Sequence, residues 1–430
     1  MKTKQALLAA FFIFCATLPA LAQDIAPAEA RRRATAQRIH DRAVTLDAHV
    51  DIAGTRYATD KLDPGIDHPE LKCDLVKMKR GGVDGVFLAV WTRQQRLDAA
   101  GYREAWRTAV QQFDAIHRLT DRLYPERCEL ATSPADVLRI ARSGKRAVMI
   151  GVENGYPIGT DLAKLEKLYA MGARYMTLCH CGHNQICDSL DANQELGDKE
   201  QAYHGLSAFG ERVVAKMNRL GMMIDVSHVS RESFYDAIKS SKAPVIATHV
   251  GARACFDTPR NLDDRQLKAL AAHGGVIQIY VVGSFLKTPT PERQQAVSDL
   301  LERIGLPVKD GEPDYVNCTE NEIAQYDRGI RVVDRQTPAA EMDDFMRHID
   351  HVVAVAGIDH VGIGTDFDGG GDGVRGFENH SEALNVTVEL LRRGYSEEQV
   401  EKIWGGNLLR VWREVEAAAK RQPTREERIR

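Results

Sequence analysis

Eight short apolar runs, spaced along 430 residues, constrain this chain more than any other feature. They read AVTLDAHVD (43–51), VDGVFLAVW (83–91), RAVMIGVEN (146–154), ARYMTLCH (173–180), MMIDVSH (222–228), PVIATH (244–249), GVIQIYVV (275–282) and HVGIGTDFDG (360–369). Most are separated by segments with helical periodicity, such as GLSAFGERVVAKMNRLG and DDRQLKALAAHGG. Strand–helix alternation demands a parallel sheet, and eight such units point to a closed (β/α)8 barrel of the TIM type. An open doubly wound sheet would want a Gly-x-Gly-x-x-Gly turn after an early strand, and none follows the first two runs.

The runs end in a particular way. In such a barrel, chemistry gathers where the strands finish. The first run ends on His49 and Asp51, the third on Glu153 and the fourth on His180. The fifth ends on His228, the sixth on His249, and the eighth carries Asp366. Any one of these has an ordinary explanation: an ion pair, a loop cap, a hydrogen-bonded core histidine. Six strand ends out of eight, drawing four of only 14 histidines, are better explained by one metal site. Imidazoles mixed with carboxylates favour zinc or a similar transition ion over calcium or magnesium. The donors outnumber what one catalytic zinc takes, so two ions sharing a carboxylate and a water are expected. That arrangement implies metal-assisted hydrolysis, with an acidic group such as Asp366 moving the proton.

The rest of the chain narrows the setting. A net charge of −4 with no basic block in the body gives no footprint for nucleic acid. Residues 1–22 run from Lys2 and Lys4 through an apolar stretch to Ala20-Leu21-Ala22, the order of a secretory signal peptide cleaved after Ala22. The expected location is therefore periplasmic or secreted, and the apolar stretch is short for a membrane-spanning anchor. Export allows disulfides, but seven cysteines remain after cleavage, an odd number with no assignable pairing. Residues 23–418 form the single expected barrel domain and 419–430 a polar tail. Residues 284–336 carry four prolines and many charges, an insertion suited to a lid or an oligomer contact. Whether the chain forms a homodimer is left open.

The motifs LDAHVD, GVENG, RYMTLCH, LSAFGERVVAKMNRLGMMIDVSHVS, APVIATHVGARA, RNLDD, HVGIGTDFDG and NLLRVW, in this order, resemble the membrane (renal) dipeptidase family of the amidohydrolase superfamily. The resemblance spans residues 44–415. It implies that His49 and Asp51 bind one zinc, that His228 and His249 bind the other, and that Glu153 bridges both. It further implies that His180 steadies the developing oxyanion, that Arg260 pairs with the free carboxylate of a dipeptide, and that Asp366 handles the proton and faces the substrate's amino end. Spacing alone would prefer Arg253 to Arg260. The chain departs from the family in THVGARA, where a serine is common after the histidine, and in CHCGHN, which adds His183 and two cysteines beside His180.

The expected function is therefore a two-zinc dipeptidase in which a bridging hydroxide attacks the amide, a D-residue being accepted on the carboxyl side. A rival keeps the binuclear site but turns over another amide, a lactam or an ester. A rival of another class is an exported metal- or solute-binding protein without turnover, which Asp366 argues against.

Overall fold

The computed structural model describes residues 28–421, apart from residues 53, 310–311, 314–317 and 370–372. The expected signal peptide lies outside the described residues. A helix over 28–40 leads into eight parallel strands: β1 (Leu46–Asp51), β2 (Gly85–Trp91), β3 (Arg146–Glu153), β4 (Ala173–Thr177), β5 (Met223–Asp225), β6 (Ile246–Val250), β7 (Val276–Ile279) and β8 (Val361–Ile363). They hydrogen-bond in chain order. A ninth piece, Cys128–Leu130, pairs with the edge of β3 and was not expected from the sequence.

The ring closes between β1 and the segment after β8. Asp51 N–H donates to the Phe367 carbonyl at 2.9 Å, and Asp366 N–H donates to the His49 carbonyl at 2.9 Å. The barrel is thus fastened by the residues its sequence marks for chemistry.

The helices return the chain along the outside. They are α1 (Leu75–Gly81), α2 (Ala99–Arg118), α3 (Leu162–Ala170), α4 (Ala208–Leu220), α5 (Arg231–Ser240), α6 (Asp264–Ala272), α7 (Met342–Ala356) and α8 (Ala383–Arg392). Their starts are written locally. The Ser207 hydroxyl accepts from Gly210 N–H at the head of α4, and Asp263 forms a reciprocal capping box with Gln266 at α6. The pause expected at Gly405-Gly406 is a π turn, Lys402–Gly406, leading into a last helix, Asn407–Arg421. The expected tail therefore begins inside that helix. Its Trp412 lies 5.5 Å from the Phe87 ring and packs with Leu46, Ala147, Met223 and Val276, closing the barrel at the strands' N-terminal ends.

The insertion folds as two helices, Pro291–Ile304 and Glu320–Gln336, around a small core of Leu300, Leu301, Tyr326, Ile330 and Val333. It is latched to the opposite, catalytic rim: Arg331 donates to the Pro69 and Glu70 carbonyls after β1, and Arg93 after β2 donates to the Cys318 carbonyl at 2.9 Å. All seven cysteines from Cys73 to Cys318 are free thiols, so the pairing that export allowed is not formed. Among the described residues no helix is long and apolar enough to cross a membrane.

Candidate metal centre

The strands deliver their polar residues to one place by different routes. His49, Asp51, Glu153 and His249 lie within strands, whereas His180, His228 and Asp366 stand three residues beyond the ends of β4, β5 and β8. His228 and Asp366 have φ of 65° and 61°, a left-handed backbone that no strand can continue through. Pairing registers slip around His49 (between Asp47 and Val50) and around His249 (between Ala247 and Val250). Such irregularities re-aim a side chain, here into the mouth of the barrel.

Glu153 sits at the middle. Its Oε1 is 3.2 Å from His228 Nε2 and 3.3 Å from His249 Nε2, while its Oε2 is 3.5 Å from His49 Nε2. His180 Nε2 is 3.7 Å from Oε1. On the other side of His49, Asp51 Oδ2 and Asp366 Oδ1 lie 3.8 and 3.9 Å from its Nε2. Arg260, buried, donates from Nη2 to His228 Nε2 at 3.0 Å. All eight residues expected from the sequence are therefore brought together. Cys181 joins His180 and His228 with ligand atoms within 4.8 Å of one another. His183, by contrast, faces the loop it stabilises: its Nδ1 accepts from Ser189 N–H at 3.0 Å and its Nε2 meets the Lys199 carbonyl at 2.9 Å. Arg253 serves its own loop, donating to the Thr258 carbonyl at 3.1 Å.

The donor set suits a cation. His228 Nε2 accepts from Arg260, so it carries a lone pair, and it faces His249 Nε2 at 2.8 Å. Two ring nitrogens and a carboxylate oxygen so close together are satisfied by a positive ion between them. His49 Nε2 and Asp51 Oδ1 are buried without a hydrogen-bond partner, as is Arg260 Nη1. A buried polar atom left without a partner is costly, and buried ones nearly always have one.

The electrostatics separate the two halves. Burial, reinforced by Arg260 and His180, holds His228 far below the usual imidazole range, and burial with His49 and Arg260 does the same to His249. Both therefore offer lone pairs at neutral pH. Burial also opposes charge on His49, but Glu153 and Asp51 outweigh it and raise its pKa well above the usual value. Burial disfavours the Glu153 carboxylate too, yet the charges of His49 and His180 carry its pKa well below the usual range. Burial, helped by Asp51 and Glu153, pushes Asp366 up to about 8 despite His49 and Arg260. Carboxyls driven apart in this way suit different duties, one a fixed charge and one a proton carrier.

Behind the ligands stand residues that the sequence reading missed. Tyr175 Oη is 2.8 Å from His49 Nδ1, and Thr248 Oγ1 is 2.8 Å from His249 Nδ1. Asp225, fully buried, accepts from the Thr177 and Thr248 hydroxyls at 2.6 and 2.7 Å. The usable signal was a carboxylate inside an apolar run, Asp47 in TLDAHVD and Asp225 in MMIDVSH.

The family model described as membrane dipeptidase, peptidase family M19, matches residues 33–426. The chain belongs to the membrane dipeptidase family. Among its relatives is dipeptidase tcpJ of Claviceps purpurea, 32% identical over 353 residues, covering 81% of this chain and 70% of that protein. The crystal structure of the probable dipeptidase PvdM from Pseudomonas aeruginosa superposes with a TM-score of 0.78 at 32% identity, covering 90% of this chain and 99% of the other. A metallo peptidase from Rhodobacter sphaeroides, liganded with a phosphinate mimic of the dipeptide L-Ala-D-Ala, shares the fold with a TM-score of 0.67 at 22% identity, covering 87% and 99%. This member of the dipeptidase family is thus a metal-dependent hydrolase on a (β/α)8 barrel.

Proposed function

We propose that this chain is an exported two-zinc dipeptidase that cleaves the single amide of a dipeptide and accepts a D-residue on the carboxyl side. The observation that carries the reading is the division of Glu153, one oxygen toward His228 and His249 and the other toward His49. His49 and Asp51 would hold one ion, His228 and His249 the other, and Glu153 would bridge them. Bound there, the pair would lower the pKa of water to give a nucleophile at neutral pH and polarise the scissile carbonyl.

The chain's own residues complete the reaction. His180, whose pKa is pushed up to about 9 against its burial by Cys181 and Glu153, carries a proton toward the developing oxyanion. Arg260 offers its unpartnered Nη1 to the substrate's carboxylate, which limits the substrate to two residues because a longer chain places its C-terminus elsewhere. Asp366, whose carboxyl is pushed up by burial, is placed to carry the proton to the leaving amine. Export rests on the order of residues 1–22, and periplasmic release would suit turnover of cell-wall fragments containing D-residues.

The test is metal content measured on the purified mature protein, with Gly-D-Ala and L-Ala-D-Ala hydrolysis followed on the same preparation. Two zinc ions per chain, with turnover abolished by chelation and restored by zinc, are expected. Metal without dipeptide turnover would shift the reading to another amide or an ester. Failure to bind metal after reconstitution would overturn it.

A further inference from the structure

His249 is backed by a closed chain of buried hydrogen bonds that the proposed chemistry does not use. Asp225 ends β5 with no solvent exposure. Its Oδ1 accepts from Ser227 N–H at 3.1 Å, the Ser227 hydroxyl at 2.9 Å and Thr248 N–H at 2.9 Å. Its Oδ2 accepts from the hydroxyls of Thr177 at 2.6 Å and Thr248 at 2.7 Å. Three neighbouring strands, β4, β5 and β6, thus converge on one carboxylate.

The direction of these bonds fixes a proton elsewhere. A threonine hydroxyl has one proton, and that of Thr248 goes to Asp225. Its oxygen can then only accept from His249 Nδ1, 2.8 Å away. His249 is therefore held with its proton on Nδ1 and a lone pair on Nε2, the atom that faces Glu153 and His228. The partner of one ring nitrogen determines what the other can bind.

The same device stands across the barrel. Asp47 on β1 accepts from Thr365 N–H at 2.8 Å and from the Thr365 hydroxyl at 2.6 Å. Thr365 immediately precedes Asp366, as Thr248 precedes His249. Each threonine is held by both its backbone and its side chain to a carboxylate on the adjacent strand. Asp47 is joined by His380 at 2.7 Å, whereas the Asp225 carboxylate is met only by backbone and hydroxyl groups among these bonds.

We propose that Asp225, acting through Thr248, is a positioning residue that sets the tautomer of His249 and with it the metal affinity of the His228–His249 half of the site. The proposal rests on the reading of His249 as a metal ligand. An asparagine at 225 would keep its carbonyl oxygen toward the Ser227 and Thr248 N–H donors, which cannot reverse, and turn its NH2 toward the Thr177 and Thr248 hydroxyls, which can. Thr248 would then donate to His249 Nδ1 and move the ring proton onto Nε2.

The experiment titrates metal-free protein with zinc against a chromophoric chelator, alongside the thermal midpoint of the same metal-free samples. Asp225→Asn and Thr248→Val should each weaken the His249-side ion by about 10- to 100-fold. Thr248→Ser, which keeps the hydroxyl, should restore the unsubstituted affinity. If Asp225→Asn fails to fold, the Thr248→Val and Thr248→Ser pair decides alone. Unchanged zinc affinity in Thr248→Val, whatever its thermal midpoint, overturns the proposal and leaves the relay a purely structural support. His249→Ala separates the two levels of inference. If it retains both ions at full affinity, the metal-ligand reading itself has failed, and the relay with it.

Discussion

Arg260 Nη2 donates to His228 Nε2 at 3.0 Å, so the residue expected to hold the substrate's carboxylate rests against a residue expected to hold metal. One lone pair cannot serve both a guanidinium and an ion. A metal ion taking that lone pair would free the guanidinium, whose other nitrogen, Nη1, is already buried without a partner. Metal binding at His228 would then be linked to substrate recognition through this pair.

Replacing Arg260 with Lys should expose that link. A lysine keeps the charge but loses the planar fork that meets a carboxylate with two bonds. Loss of a hydrogen bond to a charged group corresponds to about 1.5–3 kcal/mol, or about 10- to 100-fold in kcat/KM for dipeptides. Amide substrates without a free carboxylate should change little. Comparing kcat/KM on the two substrate types checks this, and an equal loss on both would argue against a carboxylate clamp.

Asp366→Asn removes the proton carrier while keeping the shape of the side chain. The fall in kcat should be about 10²- to 10⁴-fold, the range for a general acid–base group. Zinc content is read on the same samples, because Asp366 lies with His49 and Asp51 in one group of metal-competent ligand atoms. Retained turnover at normal metal content would assign the proton to another group.

Gly151 lies on β3 directly beneath the ring of Tyr175, and a Cβ added there would fall 2.0 Å from Tyr175 Cζ. Gly151→Ala should therefore overpack the barrel interior by about 1–3 kcal/mol. Because Tyr175 Oη holds His49 Nδ1, metal retention should fall together with the thermal midpoint. Thermal unfolding and metal content on one sample test both effects.

His348 on α7 provides a pH dependence away from the metal. Its Nδ1 accepts from Ala252 N–H at 2.9 Å, and its Nε2–H donates to the Leu286 carbonyl at 3.0 Å. Burial pushes its pKa down to about 4, from 6.5 in the unfolded chain. Below 6.5 the unfolded state binds the proton and the folded state does not. The stability this neutral ring contributes is thus present above pH 6.5 and lost as pH falls toward 4, up to about 3 kcal/mol. His348→Gln can keep both bonds without titrating, so its denaturation midpoint should fall less between pH 7 and pH 4.5.

The barrel and its centre were legible for related reasons. Period-two apolar runs and polar strand ends follow from local geometry, and seven of the eight site residues converge as their positions implied. Arg260 was legible only through the family resemblance, spacing alone favouring Arg253. The strand limits were harder to read. MMIDVSH contains only a three-residue strand, Met223–Asp225, and the His228 that ends the run stands beyond it with a left-handed backbone. Asp225 was missed because its partners, Thr177 and Thr248, are adjacent only after three strands align. The insertion looked irregular in sequence because its small core joins residues of two helices that lie apart along the chain. Nothing local announced that Arg331 would reach carbonyls more than 250 positions away.

The two backbone hydrogen bonds that join His49 and Asp51 to the segment after β8 also bear on how the protein is made. They link the first strand of the barrel to the last, so they form only after nearly all of the chain has left the ribosome. Ligands from both ends reach their places in the same step that closes the ring. An unfinished or truncated chain therefore has no partial activity to display, and a folding intermediate cannot hydrolyse peptides before the molecule is whole.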